Sequence, residues 1–113
     1  MAGTHANTFR GVGPVSEVAL NVSSSGNNTV VAAVAGKQIV LLAGDLVCAG
    51  AVTITWESGG GSILDGPKAF AANGGQLYPF DENGHFASVS GESLLLNLNG
   101  AVQVGGRVKY ALV

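Results

Sequence analysis

Charge is what this sequence has least of: Asp, Glu, Lys and Arg make up 11% of its 113 residues, against about 25% in ordinary soluble domains. The five basic residues, Arg10, Lys37, Lys68, Arg107 and Lys109, are scattered. They form no stripe that could track a phosphate backbone, so nucleic acid is not an expected partner. Long apolar runs are also missing. The longest, residues 30–35 and 39–43, are broken by Gly36-Lys37-Gln38 and fall far short of the roughly 20 residues a spanning helix needs. No helical membrane span is expected. Residues 1–14 lack the apolar core of a secretory signal, which points to synthesis in the cytoplasm. One cysteine, Cys48, excludes an intrachain disulfide, and its setting in Leu46-Val47-Cys48-Ala49 suits a small buried side chain.

Catalytic patterns are equally scarce. His5 and His85 are too far apart in sequence for the His-x-His or His-x-x-x-His spacing of a jelly-roll metal site, so a cupin-type enzyme is not expected. Ala35-Gly36-Lys37 has neither the earlier glycine nor the following Ser or Thr of a phosphate-binding loop. Ser88-Val89-Ser90-Gly91 lacks the first glycine of a nucleophile elbow. Seven carboxylates lie scattered through presumptive loops, and Asp81-Glu82-Asn83-Gly84 beside His85 reads as a polar turn. The expectation is a protein that is not an enzyme and takes no cofactor or metal.

What the chain does have is apolar residues at period two, separated by glycine and asparagine. That is how strands and tight turns are written. In Val52-Thr53-Ile54-Thr55-Trp56-Glu57 the apolar side chains share one face, because successive strand side chains alternate. Arg107-Val108-Lys109-Tyr110-Ala111-Leu112 repeats the pattern with Val108, Tyr110 and Leu112 inward. Further strands are expected at 18–22, 29–34, 39–48, 76–79, 93–98 and 101–104, about eight in all. Asn73-Gly74, Asn83-Gly84 and Asn99-Gly100 supply the positive backbone φ that tight turns demand, and the segments around Asn99-Gly100 form the strongest hairpin candidate. Ser58-Gly59-Gly60-Gly61-Ser62 reads as a flexible loop. The fold class is all-β: a single sandwich or jelly roll of antiparallel strands over residues 15–113, preceded by an extended arm at 1–14.

Hydrophobic residues nevertheless make up 47% of the chain and mean hydropathy is +0.39. Residues 30–34, 39–42 and 94–96 are apolar on both strand faces, whereas an antiparallel sheet usually leaves one face to water. A second dry face calls for a second partner, which points to a symmetric homo-oligomer with Val30, Val34, Ile39, Leu41 and Leu95 as interface candidates. Phe9 lies in an arm with no strand pattern of its own. Such an arm either orders against a partner or frays as termini do.

The phrases Val34-Ala35-Gly36-Lys37-Gln38-Ile39, Ala49-Gly50-Ala51-Val52-Thr53-Ile54, Ala72-Asn73-Gly74-Gly75 and residues 94–104 together resemble small proteins encoded among the virion genes of tailed phages and prophages. The resemblance implies a compact jelly roll similar to that of tumour necrosis factor, assembly as a homotrimer, and decoration of the outer capsid as a cement protein. The partners it implies are the chain itself and the major capsid protein. Phe9 and Arg10 of the arm then become the capsid-contact candidates, and the linked contacts of a trimer would raise avidity by roughly 10² to 10⁴. The alternative is a receptor- or carbohydrate-binding tip of a tail fibre, using loop aromatics such as Tyr78 and Phe80. The short chain carries no trimeric shaft, which favours decoration. A small-molecule site would need convergent polar groups, and none is visible in the linear sequence.

Overall fold

The computed structural model of the chain describes residues 8–9 and 13–113, and every regular element among them is a strand. These are β1 (Thr8–Phe9), β2 (Gly13–Val22), β3 (Gly26–Val31), β4 (Ile39–Cys48), β5 (Val52–Ser58), β6 (Ile63–Phe70), β7 (Gly75–Tyr78), β8 (Phe86–Ala87), β9 (Leu94–Leu98) and β10 (Val104–Leu112). One sheet runs β1-β2-β10-β4-β7, with β8 also paired to β4, and the other runs β3-β9-β5-β6. All pairings are antiparallel.

The pairings are nested. Strand β2 pairs with β10, β3 with β9, β4 with β7, and β5 with β6. The first long strand therefore meets the last, the second meets the next to last, and so inward, while the chain passes repeatedly from one sheet to the other. A long antiparallel ribbon rolled on itself has this connectivity, so the sandwich is a jelly roll.

Alternation drives the assembly. From the larger sheet Leu20, Ile39, Leu41, Leu46, Cys48, Val104 and Val108 point inward. From the smaller sheet they meet Val52, Ile54, Trp56, Leu94, Leu96 and Leu98, all buried. Each large side chain removed from water contributes roughly 1.5–3 kcal/mol. Tyr110 and Leu112 pack on this core as their alternation predicts.

Several local expectations are revised. The segments flanking Asn99-Gly100 do not form a hairpin: β9 and β10 lie in different sheets. Asn99 instead accepts the Thr53 N–H on its side-chain oxygen at 2.8 Å and donates its own N–H to the Thr53 carbonyl at 3.1 Å, so the turn carries the chain across the sandwich. The Ser58–Ser62 loop is pinned. Ser58 N–H donates to the Ser62 carbonyl and Gly61 N–H to that of Ser58, while Glu92 accepts the Gly60 N–H at 2.8 Å. Behind it lies β6, unread in the sequence because Gly66-Pro67 interrupts it. Proline has no N–H for a sheet ladder, and β6 is an edge strand where that loss costs little. The turns at 71–74 and 81–84 form where Asn-Gly predicts them: Asn73 adopts φ +66° and Gly84 φ +81°, closed by Gly74 N–H to Ala71 O and Gly84 N–H to Asp81 O.

Candidate functional site

The two-faced apolarity of residues 39–42 has an answer within the chain. Lys109 pairs with Ala43 and Tyr110 with Leu41, so Leu42 is an extra residue in β4, a bulge. Ile39 and Leu41 face the main core, while Val40 and Leu42 join Ala111, Val15 and Ala87 in a second small cluster. Three of the interface candidates lie inside the single chain. Ile39, Leu41 and Leu95 are buried in the monomer, and a side chain enclosed by its own fold has no surface to offer a partner. Val30 packs partly on the core and Val34 is exposed in the loop after β3. Of the capsid-contact candidates, Phe9 falls in β1, where its backbone pairs with Gly13, and Arg10 lies outside the described residues.

Other large apolar side chains are exposed: Ile63 at the start of β6, Val89, Val113 and a group at the outer face of the larger sheet. There Val47 of β4 is 55% exposed, Leu77 of β7 71%, and Phe80, just beyond β7, 52%. Register puts Val47 beside Leu77. Asp45 pairs with Leu77 and Val47 with Gly75, which makes Val47 and Leu77 diagonal neighbours, and Gly75 puts no side chain over Val47. A shallow cleft of about 270 Å³ opens beside them, lined by Ala43, Leu77, Pro79 and Phe80 with Asp45, Arg107 and Lys109 around it. Arg107 is paired with Glu17 at 3.1 Å. An apolar centre with a rim of mixed charge has the anatomy of a protein interface. The sequence signal was present in Gly75-Gln76-Leu77, but a single exposed leucine is ordinary and only the register shows the patch.

A second feature occupies the rim where the edge strands β6 and β7 face each other across the sandwich. A bulge at Gly66 and Pro67 sets Asp65 opposite Trp56 and Lys68 opposite Ile54, turning both charged residues toward the space between the sheets. From β7, Gln76 and Tyr78 turn the same way, opposite Leu46 and Gly44. The result is a hydrogen-bonded line from core to rim. Trp56 Nε1 donates to Tyr78 Oη at 3.0 Å, Tyr78 Oη donates to Gln76 Oε1 at 3.3 Å, and Lys68 Nζ donates to the same oxygen at 3.3 Å. Lys68 also lies 3.0 Å from Asp65 Oδ2. Burial above all, helped by the Asp65 charge and opposed by the Trp56 hydrogen bond, pushes the Tyr78 hydroxyl up to about 12. Tyr78 is thus a core residue with one polar end and not the exposed loop aromatic expected; Phe80 is exposed.

The chain matches no family model, no curated protein and no solved structure. The residues must carry the functional reading themselves. Among the described residues no three metal-ligating side chains converge. Cys48, buried behind β7 and the 71–74 turn, has its thiol pushed up by burial, the opposite of what a nucleophile needs.

Proposed function

We propose that the protein is a structural virion component, a capsid decoration protein that assembles through the outer face of its larger sheet as a homotrimer and binds the outer surface of the head. The single observation that supports assembly is the pair Val47 and Leu77, exposed side by side on the outer face of the larger sheet with Phe80 exposed just beyond β7. Apolar surface rimmed by charge, on a rigid sheet, favours a flat protein partner. A second copy is the partner always present. The placement on a virion rests on the resemblance of the phrases at 34–39, 49–54, 72–75 and 94–104 to phage virion proteins.

In this reading the protein works by geometry. A rigid trimer over a junction of capsid subunits makes several weak contacts at once, and linkage multiplies them. The test is co-sedimentation of the purified protein with undecorated heads. The wild-type chain should pellet with the heads in saturable amounts, and a chain lacking residues 1–10, which leaves β2 whole, should remain folded and stay in the supernatant. Failure of the wild type to pellet removes the capsid reading, and pelleting of the truncated chain removes the arm as the contact.

A further inference from the structure

Three concavities share Pro79, and the one between the sheet edges gathers the inward-facing polar side chains of β6 and β7. It encloses about 230 Å³ and is lined by Asp65, Lys68, Gln76, Tyr78, His85 and Phe86 among others. The hydrogen-bonding capacity of its walls is only partly used. Gln76 Oε1 is committed to Lys68 and Tyr78, which leaves the Gln76 amide protons to donate. His85 Nε2 lies 2.7 Å from the Pro79 carbonyl. A carbonyl can only accept, so that nitrogen carries a proton, and in the tautomer this selects Nδ1 is the acceptor. Asp65 Oδ2 is shut off from solvent and its partner is the Lys68 ammonium at 3.0 Å.

The charges in the cleft cancel, because the ammonium of Lys68 and the carboxylate of Asp65 face each other at 3.0 Å. Neither an anion nor a metal ion gains from such a site. Donors and acceptors alternate around it, and the Tyr78 and Phe86 rings, 6.3 Å apart and nearly perpendicular, give it an apolar wall. A neutral ligand with several hydroxyl groups and an apolar face satisfies all of these at once. We propose that this cleft binds a single neutral sugar residue of a glycan, with Gln76 donating to, and His85 accepting from, its hydroxyls. The site draws on the inner faces of β6 and β7. It stands independently of whether the outer face of the larger sheet holds a second copy.

The chain contains its own reporter. Trp56 is the only tryptophan, and its indole N–H is bonded to the Tyr78 hydroxyl on the cleft wall. Titrating the full chain with the methyl glycosides of glucose, galactose and N-acetylglucosamine should give a saturable change in tryptophan fluorescence with at least one of them. A lone sugar held by a few hydrogen bonds corresponds to a dissociation constant on the order of 1 mM. Gln76→Ala and His85→Ala should each weaken that binding at least tenfold while His85→Ala, an exposed position, still unfolds in one cooperative transition. Asn27→Ala, in β3 at the opposite edge of the smaller sheet from β6, should leave it unchanged. No saturable response to any of the three glycosides would overturn the proposal, as would a response that survives both cleft substitutions. Tighter binding of inorganic phosphate than of any glycoside would also overturn it, because the Lys68 charge would then dominate the site.

Discussion

Trp56 and Tyr78 show how one residue pair ties the core to the rim. Trp56 is fully buried, and its indole N–H is satisfied only because β7 brings the Tyr78 hydroxyl to 3.0 Å. Replacing Tyr78 by phenylalanine strands that N–H, so Tyr78→Phe should lower stability by about 1–3 kcal/mol in denaturant unfolding. The same pair sets an alkaline limit. The Tyr78 hydroxyl rises from its ordinary 10.0 to about 12 in the fold, so its stabilising contribution is complete below pH 10 and is lost as pH climbs toward 12. Stability curves of the wild type should fall across that window, and those of Tyr78→Phe should fall less. Glu92 behaves in the opposite sense. Hydrogen bonds from the Ser58 hydroxyl, at 2.5 Å, and then the Gly60 N–H hold its carboxyl below the ordinary carboxylate value. Its contribution is present above that ordinary value and disappears as pH falls through the lowered one. Glu92→Gln should therefore flatten the acid limb of the stability profile, a small effect at so open a position.

At the scale of elements, glycine does more than punctuate turns. A Cβ on Gly75 would run into the backbone carbonyl of Leu46 on the neighbouring strand, so Gly75→Ala should push β7 away from β4. The expected cost is about 1–3 kcal/mol, read as a lower denaturant midpoint with an unchanged slope. Most strands were legible in the sequence because period-two alternation is a local signal: residues 52–57 and 107–112 fold as their pattern predicts. Where local signals conflict, the reading failed. Gly66-Pro67 hid β6, which tolerates a proline because it lies at a sheet edge. Asn99-Gly100 looked like a hairpin because local sequence cannot distinguish a turn within one sheet from a turn between two. Neither the side-chain bond from Asn99 to β5 nor the pairing of β9 with β3 and β5 is written nearby in the chain.

The whole molecule is a nested ribbon whose partners lie far apart in sequence, and that is why the candidate sites were the least legible part. Asp65, Lys68, Gln76 and His85 look like scattered polar residues until β6 and β7 close the rim. Val47 and Leu77 look like isolated apolar residues until β4 and β7 set them side by side. Conversely, Ile39 and Leu41 looked like surplus hydrophobes only because the Leu42 bulge and its small second cluster were invisible. The composition argument for a partner takes a narrower form: exposed apolar side chains are spread over Val34, Ile63, Val89 and Val113 as well, and Val47 and Leu77 are the two that register sets side by side on a sheet face. Light scattering on the purified chain tests this most directly, with Leu77→Asp measured beside it. Leu77 is so exposed that the substitution leaves the monomer fold intact. The account predicts a wild-type mass of three chains of 11.2 kDa and a folded, single-chain Leu77→Asp. A wild type with the mass of one chain, or a Leu77→Asp variant that stays trimeric, would contradict it.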